Sequence, residues 1–294
     1  MIFFVQSVVS GVLTGLLYGL VALSFVVVYR GARIVNLAQG ELLLIGGFSV
    51  WLAGLYTAMP STLGPLVGLI ITAFSGVLIE RLVFRPLIGR PMTTIVLASI
   101  ALMIILRGVI QLIFGAQSRP FPQILPSGTF IVYDIQFNVA LCFGAIITII
   151  ATEFLHWFFM HTMVGLRLAA VAEDHLTSLS IGISVKRASA IAWMLGSLLA
   201  ALASIVYLSG APLDVTVASI GLRALPVALL GGMESIRGAT LAGILIGIGE
   251  SLSASYLDRH TNGTMSQLFP FIAMICIMLI RPQGLFGWKT IERV

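Results

Sequence analysis

The sequence predicts an all-α polytopic membrane protein with about nine membrane crossings, one broken half-length element and one short helix at the cytoplasmic surface. Three observations support this. Of the 294 residues 59% are hydrophobic, only 9% are charged, and the mean hydropathy is +1.10. Soluble domains carry roughly a quarter charged residues, and a soluble fold could not cover so much apolar volume with polar surface. No polar stretch is long enough for a second domain, so residues 1–294 are predicted to form a single transmembrane domain.

Nine apolar segments justify the number of crossings, and eight or ten are the alternatives. They are residues 8–29, 34–56, 62–79, 93–114, 137–159, 188–208, 224–233, 238–257 and 268–280. The first has no positively charged residue before it and no small-residue cleavage site, so it is predicted to be a retained span. Two segments carry small residues at four-residue spacing, which favours close helix packing. These residues are Gly11, Gly15 and Gly19 in the first span and Ala239, Gly243 and Gly247 in the eighth.

The broken element lies in residues 212–237, where Asp214 and Arg223 interrupt the apolar pattern. Only residues 224–233 lack charge, and ten helical residues cover about 15 Å, half of a bilayer. The stretch is therefore predicted to be a surface helix or loop followed by a half-length helix. Non-helical backbone at membrane depth is tolerated only where it is buried in protein or lines a cavity.

Lysine and arginine counts predict the orientation. With residues 164–188 placed inside, twelve basic residues fall inside, three fall outside (Arg119, Arg223 and Arg259), and Arg107 lies within a span. This asymmetry predicts the N-terminus outside and the C-terminus in the cytoplasm. The net charge of +5 then reflects cytoplasmic loops and does not indicate nucleic acid binding.

The segment 164–188 is the most polar insert between two spans. It carries six ionisable side chains, namely Arg167, Glu173, Asp174, His175, Lys186 and Arg187. Apolar residues recur at helical spacing up to Glu173 and Asp174, and Gly182 is a candidate helix stop. A short surface helix is therefore predicted, with an ordinary solvated loop as the alternative.

The second span carries candidate residues for a solute path. On a continuous helix one small, partly polar stripe forms, comprising Asn36, Gly40, Leu43, Gly47, Val50 and Gly54. Gln39 lies beside the stripe, and Glu41 lies about 140° from Asn36. Either the backbone unwinds near Gly40, or Glu41 pairs with a basic residue of a neighbouring helix. A buried carboxylate needs a partner or a watery cavity.

Two readings of this span remain open. In the first, Asn36 and Gln39 handle a polar solute along a translocation path. In the second, the glycines only allow close packing and Asn36 caps the helix. Interrupted segments in corresponding halves often mark a transport path, and Gly46-Gly47 is echoed by Gly231-Gly232. The candidate path residues are Asn36, Gln39, Gly40, Glu41, Gly47, Gly231 and Gly232.

Arg107 lies inside the fourth span, where a charged side chain is costly. Snorkelling toward the nearer interface is the favoured interpretation, and facing the bundle or pairing with an acid are the alternatives.

Catalytic signatures are lacking in the sequence. It has no G-x-x-x-x-G-K-[ST] phosphate loop, no H-E-x-x-H and no G-x-S-x-G, and the four histidines form no ligand cluster. We therefore predict no enzyme activity, no metal and no cofactor. Few ionisable groups lie in the spans, which argues against a proton- or sodium-driven transporter and favours energy from a separate ATPase.

Four motifs in order resemble the branched-chain amino acid permease family of ABC importers, specifically its H-type subunit. They are R-x-x-A-x-A-E-D from Arg167 with I-G-I-x-V-x-R after it, residues 33–41 (RIVNLAQGE), residues 230–233 (LGGM) with Gly238, and residues 281–287 (RPQGLFG). Together they extend over nearly the whole chain.

The resemblance implies a permease subunit in a bacterial inner membrane, with four kinds of contact. These are a second homologous permease, two ATPase subunits that bind the ATP, an extracytoplasmic solute-binding protein, and lipid. It assigns ATPase coupling to Arg167, Glu173, Asp174 and Gly182. The implied solutes are branched-chain or other hydrophobic amino acids, with urea, amides or aromatic acids as alternatives. A stand-alone secondary transporter or channel, or a structural scaffold, is the competing class.

Overall fold

The computed structural model describes residues 2–56 and 63–287. Lys289 and Arg293, two of the twelve basic residues expected inside, lie outside the described residues, and so does the short turn expected between the second and third spans, residues 57–61. The described part is almost entirely helical. Its α-helices are α1 (Ile2–Ala32), α2 (Gln39–Tyr56), α3 (Leu63–Ile79), α4 (Met92–Phe114), α5 (Val139–His161), α6 (Met163–Glu173), α7 (His175–Ser180), α8 (Val185–Leu208), α9 (Ser219–Gly231), α10 (Ile236–Leu252) and α11 (Met265–Ile280).

Short irregular elements complete the described chain. A π-turn (Glu80–Phe84) and a 3-10 turn (Arg85–Leu87) extend α3, a 3-10 turn (Val215–Ala218) precedes α9, and a π-turn (Ser253–Leu257) extends α10. The strands are β1 (Arg119–Pro120), β2 (Thr129–Val132), β3 (Ile135–Asn138) and β4 (Pro212–Leu213). β2 and β3 form an antiparallel hairpin in the loop between α4 and α5.

Six helical segments are long and apolar enough to cross a membrane, in the part of the chain that the structure describes. They are Ile2–Ala32, Leu63–Leu87, Met92–Phe114, Val139–His161, Val185–Leu208 and Ile236–Leu257. Shorter apolar helices cover Gln39–Leu55, Val215–Gly231 and Met265–Ile280. The prediction of a helical, polytopic membrane protein is thus confirmed, while the number of crossings stays a prediction.

α1 is largely buried at the centre of the bundle, and α10 is the helix that packs most extensively against it. Their small-residue faces, predicted separately, pack against each other. A Cβ added at Gly11 would lie 2.7 Å from both the Gly247 oxygen and the Ile248 Cα, and one at Gly243 would lie 2.8 Å from the Gly19 nitrogen. The backbones therefore approach as closely as glycine permits.

α2 and α4 run in parallel, because they touch at two levels seven residues apart on each helix. Glu41 contacts Arg107, and the Phe48 and Phe114 rings stack with centroids 4.5 Å apart. Seven residues correspond to two helical turns, about 10 Å. The Glu41–Arg107 contact therefore lies about 10 Å along the helix axes from the Phe48–Phe114 layer.

The broken stretch runs from one end of α2 to the other. At its start, β4 pairs antiparallel with β1, and Arg119 of β1 lies over the Trp51 ring, 5.6 Å from its centroid. At its far end, Glu234 forms an ion pair with Arg33, which immediately precedes the segment leading into α2. The stretch consequently passes along the whole bundle.

α9 is the half-length helix predicted in this stretch. Its 13 residues cover about 20 Å, which is longer than the ten uncharged residues suggested. Arg223, one of the three basic residues expected outside, lies within α9. Its guanidinium is near Tyr18 of α1 and Glu250 of α10.

Candidate translocation and coupling sites

The backbone breaks between α1 and α2, exactly where the candidate path residues begin. Arg33 has φ +56°, and α2 begins only at Gln39. The predicted continuous stripe from Asn36 to Gly54 is therefore wrong at its start, because Asn36 is not helical. Both alternatives considered for this span occur together: the backbone is non-helical at residues 33–38, just before Gly40, and Glu41 pairs with a basic residue of a neighbouring helix.

Side-chain amides satisfy the broken backbone. Asn36 Oδ1 accepts a hydrogen bond from the Ala38 N–H (3.1 Å), and Asn36 Nδ2 donates to Gln39 Oε1 (2.9 Å). Gln39 Nε2 then donates to the carbonyl of Gly196 in α8 (3.1 Å). Asn36 and Gln39 are only 1% and 0% exposed, and this chain of hydrogen bonds satisfies their buried polar groups within the protein.

The starts of α2 and α9 meet at Gly40. A Cβ added at Gly221 of α9 would lie 2.6 Å from the Gly40 nitrogen, and one at Gly40 would reach the backbone of Ala218. Ala218 ends the 3-10 turn before α9. The first turn of α2 and the turn that leads into α9 are therefore packed backbone to backbone.

The remaining candidate path glycines lie elsewhere. Gly47 packs against the side chains of Leu208 and Leu213. Gly231 packs on the backbone of Ala239, and Gly232, with φ +87°, packs on the C-terminal segment at Gly287. The structure thus brings Asn36, Gln39, Gly40 and Glu41 together but places Gly47, Gly231 and Gly232 in other packing contacts.

Glu41 lies in the first turn of α2 and is 1% exposed. Its Oε1 accepts from Arg107 Nε (3.0 Å) and Nη2 (2.6 Å), while its Oε2 is buried without a hydrogen-bond partner among the described residues. The expectation that Glu41 has a partner is confirmed. Snorkelling was the favoured interpretation of Arg107, and it is wrong, because the guanidinium turns toward α2. The attraction of a carboxylate at this depth outweighs the reach to an interface.

The polar insert folds as two helices instead of one. Thr162 caps α6, its Oγ1 accepting from the Gly165 N–H (3.0 Å). α6 stops at Glu173, and Asp174 begins α7, since its carboxylate accepts from the Thr177 hydroxyl (2.6 Å). An Asx-type turn competes with continued helix at such a residue, which is why the predicted single helix divides.

The exposed face of this insert carries charged side chains beside apolar ones such as Met163 and Leu166. Arg167, Glu173 and Asp174 are exposed, while Leu168 and Val171 on the opposite face of α6 are buried against the bundle. Gly182 adopts φ +83°, and the Ile183 N–H donates to the Ser178 carbonyl (2.9 Å). This is a Schellman-type stop, as the glycine predicted.

A small cavity of about 40 Å³ connects α6 to the break before α2. Its lining residues are Tyr29, Arg30, Arg33, Ala169, Ala172, Glu173 and Glu234. The Arg33–Glu234 ion pair lies here, and the Arg30 guanidinium is 4.6 Å from the Phe159 ring centroid. Glu234 was not among the predicted site residues, because nothing in its sequence context indicates a partner 201 positions away.

The contact of Tyr18 with Glu250 was also missed. The Tyr18 hydroxyl donates to Glu250 Oε1 (3.1 Å), joining α1 to α10, with Arg223 nearby. The presence of an acid in an apolar run was the only available signal, and it does not identify the partner.

Comparison with known proteins gives a consistent result. The family model described as "Branched-chain amino acid transport system / permease component" matches residues 7–278. The high-affinity branched-chain amino acid transport system permease protein LivH of Escherichia coli (strain K12) is 26% identical, covering 100% of this chain and 98% of the relative. BraD of Pseudomonas aeruginosa is 28% identical over 99% and 98%, and a probable LivH of Methanocaldococcus jannaschii is 29% identical over 94% and 90%.

Proposed function

This chain belongs to the permease component family of branched-chain amino acid transport systems, and we propose from that premise that it carries branched-chain or other hydrophobic amino acids across the membrane. It is the permease subunit of an ABC importer, an inner-membrane protein, and not an enzyme with its own ATPase. The solute assignment draws on the relatives from E. coli and P. aeruginosa, which are named as branched-chain amino acid permeases. Urea, amides and aromatic acids are the alternative solutes.

The proposed assembly contains two permeases, this chain and a second homologous one. ABC importers of this family work with an ATPase and a binding protein. We assign two ATPase subunits to the cytoplasmic side and a solute-binding protein to the outer side. The proposed ATPase contact is the exposed face of α6, together with Asp174 and the helix stop at Gly182. A short helix anchored between two spans can transmit rigid-body motion.

The proposed orientation has nine crossings, the N-terminus outside and the C-terminus in the cytoplasm. Two contacts support it. β1 pairs with β4 at one end of the bundle, and Arg33 pairs with Glu234 at the other. The broken stretch therefore passes from the outer side to the inner side, which keeps the basic tail inside, in accordance with the lysine and arginine distribution.

The hydrogen-bonded break at Asn36 and Gln39 carries the proposal for the solute path. Uncharged amides at a break in the helix offer exchangeable hydrogen bonds without trapping a zwitterion by net charge. In the packed state these amides bond to each other and to Gly196. A rearrangement during transport would free them for solute.

Leucine substitutions test this proposal. We expect Asn36→Leu and Gln39→Leu to lower the rate of ATP-dependent uptake at least tenfold, while assembly with the ATPase and basal hydrolysis persist. Uptake of radiolabelled L-leucine into proteoliposomes containing the partner ATPase and the binding protein gives the measurement, with a protonophore added to exclude ion-driven uptake. Asn138→Leu, which removes the cap of α5, is the matched control. Loss of assembly would favour a packing role, and unchanged uptake would remove this break from the path.

A further inference from the structure

The Glu41–Arg107 pair has spare hydrogen-bonding capacity on one side only. Arg107 directs both Nε and Nη2 to a single oxygen, Glu41 Oε1. A guanidinium has five N–H donors, so its Nη1 group and one Nη2 hydrogen are not used by Glu41. Glu41 is 1% exposed, whereas the Arg107 side chain is 39% exposed. The free donors therefore lie on the accessible side of the pair.

The position of Arg107 is unfavourable for contact with lipid. It lies two helical turns from the Phe48–Phe114 layer at the end of α4. A partly exposed arginine at such depth is expensive in hydrocarbon and normally faces a bundle interior or a water-filled cavity. Since this chain covers Arg107 only in part, something other than lipid tails should face its exposed side.

A second polar side chain lies on the same face of α4. Gln111 follows Arg107 by four residues and is exposed, so the two side chains lie one above the other along the helix. Together they make a polar strip on an otherwise apolar helix of which little is buried. The strip extends from mid-depth toward the end of the bundle that carries β1.

We propose that Arg107 is a solute-binding residue of the path, and that its free guanidinium N–H groups receive the carboxylate of the amino acid as it crosses. This inference rests on the proposed function and adds a substrate feature, the carboxylate. Glu41 is the positioning residue. It fixes the guanidinium and offsets its charge, so that the pair as a whole is neutral.

The neutrality of the pair suits passage. A lone arginine in a low-dielectric site would hold a carboxylate strongly, whereas conduction requires binding weak enough for the solute to leave. Glu41 competes with the solute carboxylate for the same guanidinium. Through Glu41, the accessible side of Arg107 and the Asn36–Gln39 break adjoin the same first turn of α2, so both belong to one path.

Removing both charges together provides the test. Deleting one partner leaves the other charge buried and unpaired, whereas replacing both with uncharged residues of similar size is often tolerated. We expect the double variant Glu41→Gln/Arg107→Met to insert, assemble and hydrolyse ATP normally, but to lower the maximal rate of L-leucine uptake at least tenfold. The concentration of loaded binding protein that gives half-maximal uptake should not change, because docking occurs elsewhere.

The matched control is the double variant Glu153→Gln/Arg237→Met. This ion pair joins α5 to α10 with an Nη2–Oε2 distance of 2.6 Å, as short as the Arg107 Nη2–Glu41 Oε1 contact, and its side chains are 56% and 53% exposed. Uptake by this control should stay within twofold of wild type, and Arg107→Lys should retain a substantial part of uptake because an ammonium still binds a carboxylate.

Each outcome decides the proposal. Wild-type uptake by the Glu41→Gln/Arg107→Met variant would show that Arg107 only neutralises Glu41, and would overturn it. Equal losses in the control variant would overturn it too, because any ion pair would then have the same effect. If the wild-type protein shows no ATP-dependent L-leucine uptake, the proposed function fails instead, which is a separate result.

Discussion

A single methyl group placed between α1 and α10 should destabilise the protein measurably. The Cβ of a Gly11→Ala variant would lie 2.7 Å from the Gly247 oxygen and 2.7 Å from the Ile248 Cα. Carbon–carbon contacts are optimal at about 3.5–4.0 Å, so the helices must separate by roughly 1 Å. Both atoms belong to backbone, and no side-chain rotation relieves the overlap.

The magnitude follows from overpacking and helix propensity. Overpacking costs about 1–3 kcal/mol, while alanine gains about 0.5–1 kcal/mol over glycine within a helix. A control variant removes the second contribution. Gly108→Ala lies inside α4, where an added Cβ meets nothing within 4 Å. The difference between the two variants therefore isolates the overpacking cost of about 1–3 kcal/mol.

Thermal unfolding of the purified protein gives the measurement. Each kcal/mol shifts the midpoint of a chain of this size by roughly 2–4 °C, so Gly11→Ala should unfold about 2–12 °C below Gly108→Ala, as followed by far-ultraviolet circular dichroism. Adding Gly247→Ala to Gly11→Ala should cost less than it costs alone, because the two sites share a contact and are not additive. Equal midpoints for Gly11→Ala and Gly108→Ala would refute close packing of α1 on α10.

Two further predictions concern orientation and coupling. In a cysteine-free background, single cysteines replacing Arg85 and Glu173 should react with impermeant thiol reagents only from the cytoplasmic side. Those replacing Ser118 and Asn262 should react only from outside. Labelling of position 173 on intact cells would contradict the orientation. Glu173→Lys and Gly182→Val should uncouple ATP hydrolysis from uptake while insertion stays normal. Glu173→Lys reverses a charge on the exposed end of α6. Gly182→Val places a β-branched residue at φ +83°, a left-handed conformation that costs about 1–2 kcal/mol. Gly182→Asn should retain coupling, since asparagine tolerates this conformation, and wild-type coupling in Gly182→Val would make the insert a simple linker.

Apolar runs and glycine ladders could be predicted from the sequence because both are local. A span needs only its own length and composition, and a small-residue face needs only its own spacing. Which ladder meets which could not be predicted. The approach of Gly11 to Gly247 joins segments more than 230 positions apart, and several other spans offer glycines.

The break before α2 could be predicted in part from the sequence. Periodicity alone suggests a continuous stripe from Asn36 onward, and the break was only one of two alternatives for this span. An asparagine followed three residues later by glutamine is, however, a helix-start signature, and in the structure Asn36 indeed bonds to the Ala38 N–H and to Gln39. Local side-chain hydrogen bonding overrides the period here.

The Glu41–Arg107 pair could be expected only in part. The cost of burying either charge predicted that each needs a partner, but 66 positions separate them, and snorkelling was an equally local solution for Arg107. The pair forms because α2 and α4 run parallel and meet at two levels. That relation follows from the tertiary arrangement and from no feature of either helix alone.

Residues 33–41, which lead from α1 into α2, link the coupling region to the proposed path through the covalent chain. Arg33 lines the cavity that α6 closes with Glu173, and the same nine residues, 33–41, end at Glu41. A displacement of α6 therefore reaches Arg33 first, and the chain from there to α2 holds its shape through buried side-chain hydrogen bonds. Because packed elements shift between discrete arrangements and do not deform continuously, we expect a movement at the ATPase contact to change the Asn36–Gln39 bonds and the Glu41–Arg107 pair together.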